Sequence, residues 1–205
     1  MTGNNLQHPR FARAFARLVC SMDRRGGTAH RRELLTGLSG RVIEVGAGTG
    51  ANFAHYPATV TEVVAVEPDD HLRSLALQAA HNADVTVHVV AGDAEHLPTD
   101  GGDFDAAVMS LVLCSVPDQT TALAEAHRAL RPGGQLRYYE HVRSTNHLIA
   151  ALEDAITPLW SRAAGGCHPN RDTTAAIQAA GLDIEDHRRF GFTGLAHVLG
   201  KATRQ

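Results

Sequence analysis

The sequence predicts an α/β fold, with a mostly parallel sheet covered by helices on both faces. Three observations carry this prediction. Apolar strand-like runs alternate with helical stretches from Arg41 to His141, and such alternation builds parallel sheets sandwiched between helices. The first run, Arg41-Val-Ile-Glu-Val-Gly-Ala-Gly-Thr-Gly50, joins β-branched residues to three alternating glycines, the pattern of a buried strand entering a tight turn that lets backbone approach a ligand. The chain then finishes on two consecutive strand-like segments, Leu182 to Phe192 and His197 to Thr203.

Ahead of the first strand, Pro9 to Met22 sets Phe11, Phe15, Leu18, Val19 and Met22 on one helical face, with Arg10, Arg13 and Arg17 mostly elsewhere. Gly26-Gly27 breaks this helix, and His30 to Leu38 reads as a second short one; residues 1–38 are expected to pack on the core or close over a ligand. After the glycine turn, the pattern predicts a helix from about Asn52, a strand from Val63 to Glu67, a helix from Asp70 to Ala80 and a strand from Val85 to Val90. Phe104 to Leu111 gives a fourth strand. Gln119 to Leu130 gives a helix with Asp118 as its N-cap, and Gln135 to His141 a fifth strand beyond the turn Pro132-Gly133-Gly134. From Leu148 a helical segment is expected to break at Pro158, and a last helix runs from Asp172 to Ala180, stopped by Gly181.

With 205 residues the chain suits a single domain, 1–205, that buries about two-thirds to three-quarters of its unfolded surface. Its 43% hydrophobic and 20% charged residues are ordinary for a globular protein. A net charge of −3 provides no basic field for a polyanion, which argues against nucleic acid as a partner. Cys20, Cys114 and Cys167 are widely spaced, without a C-x-x-C pair, so neither a disulfide framework nor a zinc cluster is expected, and a reducing cytoplasm fits. Residues 1–8 lack the charged-then-apolar order of an export signal, and no apolar run is long enough to span a bilayer.

In open α/β sheets ligands bind beyond the carboxyl ends of the strands. That rule nominates Gly46 to Gly50, Glu67-Pro68, Ser110 to Val116 and Glu140-His141-Val142. Glu67 ends the second strand 19 residues after Gly48, near the roughly 20-residue offset of nucleoside-binding folds, and a carboxylate there can accept both hydroxyl protons of a ribose. A bound nucleoside is the prediction. Gly46, Gly48 and Ala51 also satisfy the dinucleotide fingerprint, which leaves a nicotinamide-dependent oxidoreductase as a rival reading.

Four segments in order, Val42-Ile-Glu-Val-Gly-Ala-Gly-Thr-Gly50, Val66-Glu67-Pro68, Gly92-Asp93-Ala94-Glu95-His96-Leu97-Pro98 and Leu130-Arg131-Pro132-Gly133-Gly134, resemble the class I S-adenosylmethionine-dependent methyltransferases, in particular the type 11 domain. The resemblance covers residues 40–140. It implies a Rossmann-like, doubly wound, seven-stranded, mostly parallel sheet whose last strand runs antiparallel, with S-adenosyl-L-methionine as cofactor. It further implies that the glycine loop faces the amino-acid part of the cofactor, that Glu67 holds the ribose and that Asp93 meets the adenine amino group. The implied contact set is Glu44, Gly46, Ala47, Gly48, Asn52, Glu67, Pro68, Asp93, Ala94 and Leu111. Glu44, inside the first strand, is an acid that burial penalises unless it meets a donor or cation, so it is expected to orient the loop or meet the cofactor's amino group.

Leu111-Val-Leu-Cys-Ser-Val116, Tyr139-Glu140-His141-Val142, Ala51-Asn52-Phe53 and Gly166-Cys167 narrow the resemblance to the thiol S-methyltransferase branch. The animal members carry an N-terminal hydrophobic anchor that has no counterpart here, so stable membrane insertion is not expected. The implied reaction is in-line methyl transfer to a small-molecule nucleophile. A thiol of pKa near 8.5 needs less help with deprotonation than a phenol near 10, which makes a thiol the leading acceptor and a phenolic or quinone-like metabolite the alternative. His141 is the candidate base by position and by its titration near neutrality. Cys114, His141 and Trp160 are the expected substrate-side residues, with Leu159 and Phe192 beside Trp160. Cys167-His168 lacks a second ligand pair at suitable spacing, and no metal is expected.

Overall fold

The computed structural model describes residues 6, 7 and 9–205; the export-signal reading of residues 1–8 and the Arg10 side chain of the first helix's polar face fall largely outside them. Seven strands, β1 (Gly40–Val45), β2 (Val60–Val66), β3 (Val87–Val90), β4 (Phe104–Ser110), β5 (Leu130–His141), β6 (Leu182–Phe192) and β7 (Leu195–Arg204), form one sheet in the order β3-β2-β1-β4-β5-β7-β6. Neighbours pair in parallel from β3 to β5, and β7 runs antiparallel to both β5 and β6. The two-residue turn joining β6 to β7, Thr193-Gly194, has positive φ at both positions, 50° and 87°, the mirror-image geometry that matches strand twist in a tight hairpin.

Alternate residues of the central strand β1 face opposite layers. Ile43 and Val45 join a core with Met109, Leu123, Leu136 and Ile177, whereas Val42 joins Leu34, Leu35, Phe53 and Tyr139 on the other face. Both layers are buried, as a parallel sheet requires. Helices α2 (Thr28–Leu35), α3 (Asp70–Ala80), α4 (Gln119–Ala129) and α6 (Thr173–Ala179) pack on the sheet, whereas α1 (Pro9–Met22) lies against α3 and α5 (His147–Ala163) sits at the periphery with much of its apolar surface exposed. Gly26, at φ 113°, kinks the chain between α1 and α2. Asp118 caps α4 by accepting the Thr120 N–H at 2.8 Å, as its sequence position predicts.

Four local expectations are corrected. The helix expected after Asn52 is one 3₁₀ turn, Phe53–His55. Asn52 commits its amide to Glu44, and Pro57 forces the preceding Tyr56 into an extended conformation (ψ 132°). Pro158 does not break α5, which runs on to Ala163; the proline lies on an exposed face, where the carbonyl that loses its partner meets water. Pro132-Gly133-Gly134 is no turn between helix and strand. It bulges out of β5 between Leu130, which pairs with Phe104, and Gln135, which pairs with Ala106. In α1, Leu18 points outward at 52% exposure while Ala12, Val19 and Met22 are buried. Among the described residues no helix is long and apolar enough to cross a membrane.

Candidate functional site

A cavity of about 500 Å³ opens over the carboxyl ends of β1, β2 and β4. Its floor is the glycine loop, where Gly46, Gly48 and Gly50 take φ of 67°, 59° and 75°, conformations that L side chains rarely adopt. A Cβ on Gly46 would lie 2.6 Å from the Val112 Cγ2. Its roof comes from α1, through Phe11, Phe15 and Val19. The Phe11 and Phe15 rings stack at 5.5 Å, and Phe11 lies against Gly165, where a Cβ would meet its ring.

All ten residues expected on the cofactor side, Glu44, Gly46, Ala47, Gly48, Asn52, Glu67, Pro68, Asp93, Ala94 and Leu111, line this one cavity. Glu67 holds the loop: its Oε2 accepts the Gly48 N–H at 2.7 Å and its Oε1 the Asp69 N–H at 2.9 Å. Each oxygen keeps a second lone pair for a ligand hydroxyl. Burial raises the Glu67 carboxyl above its ordinary value against the pull of these N–H donors. Asp93 accepts the Glu95 N–H at 2.9 Å and lies 3.2 Å from the His96 ring.

Glu44 sits at 2% exposure in a closed polar network. Asn52 donates to its Oε1 at 2.9 Å and the Tyr56 hydroxyl to its Oε2 at 2.7 Å. Arg31 donates to the Asn52 oxygen and to Asp23, at 3.0 Å each. Burial pushes the Glu44 carboxyl up to about 7, with the Tyr56 and Asn52 hydrogen bonds opposing it.

Beyond the cofactor-side residues the cavity extends along the segment after β4. Leu111, with φ 60°, redirects the chain as its N–H bonds the Tyr139 carbonyl at 2.7 Å. Glu140 then collects three successive amides, Val112 and Leu113 on Oε1 at 2.9 and 3.0 Å and Cys114 on Oε2 at 3.1 Å. Burial, reinforced by the Cys114 thiol, holds this carboxyl well above its ordinary value against the opposing pull of the three N–H donors. Glu140 therefore fixes the wall formed by Val112, Ser115, Val116 and Pro117.

The residues expected on the substrate side stand apart from this lining. Neither Cys114, His141 nor Trp160 lines the cavity. Trp160, on the same stripe of α5 as the buried Glu153 and Thr157, is 39% exposed, and Leu159 points outward at 72%. Cys114 and His141 sit behind the wall, and Cys167 joins them: the His141 Nδ1 is 3.4 Å from the Cys114 sulfur and 3.2 Å from that of Cys167. The Cys114 thiol donates to Cys167 and is pushed up to about 12, while the Cys167 thiol is lowered by receiving that bond. His141 is raised: burial disfavours its charge, and Cys114 outweighs it. The imidazole on the cavity wall at this end is His168, beside Gly166 and Ser115, with its Nδ1 2.6 Å from the Gly166 carbonyl. The roof residues lie on the apolar face of α1, in one of the two placements expected of it, whereas Arg31 and His168 come from other segments and no local motif marks them for the cavity.

The family described as "Methyltransferase domain" matches residues 43–138. A thiol S-methyltransferase of Homo sapiens, TMT1B, is 36% identical over 181 residues, spanning 83% of this chain and 74% of that protein. The chain belongs to the methyltransferase family. A ubiquinone/menaquinone biosynthesis C-methyltransferase of Syntrophotalea carbinolica is 31% identical over 148 residues, 70% of this chain and 62% of that one. Among solved structures, a SAM-dependent methyltransferase from Thermotoga maritima superposes with a TM-score of 0.67 at 20% identity, over 95% of this chain and all of that one, which shows the shared fold. For this methyltransferase the cofactor is S-adenosyl-L-methionine, and the nicotinamide rival is set aside.

Proposed function

We propose that this methyltransferase transfers the methyl group of S-adenosylmethionine to a small-molecule thiol. The observation that carries the reading is the 36% identity to a thiol S-methyltransferase along 83% of the chain. When bound, the cofactor supplies a methyl group activated as a sulfonium. The cavity fits such a group: positive-φ glycines keep its floor free of side chains, and Glu67 retains acceptor capacity for ribose hydroxyls. On this reading Gly46, Ala47 and Gly48 face the amino-acid part, Glu44 and Asn52 act beneath it, Glu67 and Pro68 hold the ribose, and Asp93, Ala94 and Leu111 surround the adenine.

The remaining work is positioning, which in well-oriented pairs accounts for about 7 to 11 kcal/mol of a barrier. The wall held by Glu140 and the aromatic roof of α1 exclude water and orient the acceptor, and α1 acts as the lid of the single domain. A thiol near pKa 8.5 already has a thiolate fraction at neutral pH. His168 is the group placed to take its proton. Three free cysteines fit a reducing cytoplasm. The identity to a quinone-pathway C-methyltransferase favours a quinone-like acceptor as the second reading.

Purified protein with S-adenosylmethionine, offered in competition a simple alkyl thiol, a phenol and a short-chain quinol, tests this. Thiol turnover exceeding the other two by tenfold or more is expected. Preferential turnover of the quinol or phenol overturns the acceptor assignment.

A further inference from the structure

Cys114 follows β4, His141 ends β5 and Cys167 follows α5, so the two cysteines are 53 positions apart in sequence, yet their sulfurs and the His141 ring nitrogen all lie within 4.8 Å of one another. The two nitrogen–sulfur separations, 3.4 and 3.2 Å, compare with roughly 3.5 Å between ligand atoms of a tetrahedral zinc centre with Zn–S of about 2.3 Å and Zn–N of about 2.0 to 2.1 Å. Small rotations of the side chains open the triangle to a metal.

We propose that Cys114, His141 and Cys167 form a binding site for a thiophilic divalent cation, Zn²⁺ above all, directly behind the wall of the methyl-transfer cavity. Two sulfurs and one imidazole nitrogen select Zn²⁺ over the oxygen-loving Mg²⁺ and Ca²⁺. The charges balance: each thiol releases its proton to solvent, and two thiolates with a neutral imidazole offset the double positive charge. Outer contacts are already built. The Cys114 N–H is held by Glu140 at 3.1 Å and the Cys114 carbonyl accepts the His168 N–H at 2.6 Å. Such supports orient ligands and strengthen metal binding. Cys114 and Cys167 are 1% and 5% exposed, and the residues beside them, Ser115 and Gly166, face the cavity. Three protein ligands leave one coordination position open. A bound ion would clamp the loop after α5 to the ends of β4 and β5.

The test uses the full chain, reduced and stripped of metal, with all three cysteines titrating as free thiols before Co²⁺ is added. One equivalent of Co²⁺ should produce a thiolate-to-cobalt charge-transfer band together with the visible bands of tetrahedral cobalt, and one equivalent of Zn²⁺ should bleach both. Cys114→Ser and Cys167→Ser should each abolish the two-thiolate spectrum, and His141→Ala should weaken Co²⁺ binding by at least tenfold. Cys20→Ser should retain the full spectrum, which by itself assigns the sulfurs to Cys114 and Cys167 even if their own variants fold poorly. Absence of the band in the reduced protein overturns the proposal, leaving a hydrogen-bonded thiol–imidazole cluster. Persistence of the band in a folded Cys114→Ser/Cys167→Ser variant also overturns it.

Discussion

Replacing Glu44 by Gln removes a carboxyl whose ordinary value of 4.5 is raised by burial to about 7. In the folded protein this group holds its proton across that interval, whereas in the unfolded chain it ionises from 4.5 upward. Folded protein therefore binds more protons between the two values, and stability falls as pH rises through that window. The interval from 4.5 to about 7, at about 1.36 kcal/mol per pH unit, amounts to about 3 kcal/mol. Burial sets that sign by outweighing the opposing Tyr56 and Asn52 hydrogen bonds. Urea denaturation at about pH 5 and about pH 8 should show the wild type losing roughly 2 to 3 kcal/mol more than Glu44→Gln between the two. The buried carboxyls Glu67 and Glu140 titrate in both proteins, so their contributions cancel in the difference. The same group bears on the ligand: a cationic amino group placed against Glu44 would draw it into the charged form, so S-adenosylmethionine affinity should rise with pH through neutrality in the wild type and not in Glu44→Gln. Parallel stability differences at both pH values would refute the reasoning, because Glu44 would then titrate as in the unfolded chain.

Glu67→Ala should weaken S-adenosylmethionine binding, read by calorimetric titration, by about 1 to 3 kcal/mol, the cost of losing a charged hydrogen-bond partner; unchanged affinity in the folded variant would sink the ribose assignment. Gly46→Ala sets a Cβ 2.6 Å from Val112 at a φ of 67° and should lower stability by about 1 to 3 kcal/mol in denaturant titration. Phe15→Ala, which opens the roof beside Gly48, should raise KM for the cofactor at least tenfold with little change in the fold's circular dichroism; unaltered KM would remove α1 from the role of lid. His168→Asn should lower kcat at neutral pH and restore much of it at alkaline pH, where the acceptor thiol ionises unaided; a uniform loss across the pH profile would assign His168 a structural part instead.

The succession of strands and the residues lining the cavity around the glycine loop were legible because their signals are local. Val42, Ile43 and Val45 beside alternating glycines describe a buried strand and its turn within ten residues, and Glu67 follows at a spacing set by one helix-sized crossover. The failures have equally definite causes. At Asn52 helical periodicity lost to a side chain recruited by Glu44, a partner invisible without the sheet. At Pro158 the breaker rule assumes a buried backbone, and this face of α5 is wet. The cavity end along the segment after β4 escaped because dispersed segments build it: Trp160 was expected there by its chemistry, and no residue of α5 enters the lining. His141 and Cys114 were recognised singly, and their meeting with Cys167 depends on a loop that returns from α5 to the sheet.

Glu67 has one more consequence, which concerns timing. Its two bonds, to the Gly48 and Asp69 amides, form during folding, so the most flexible residues of the chain lose their freedom before any ligand arrives. A glycine turn ordered only on binding would subtract about 1 to 2 kcal/mol per residue from affinity, and here that loss falls on the folding equilibrium instead. The association rate should then be governed by access beneath α1, with the glycine floor acting as a rigid template at every encounter.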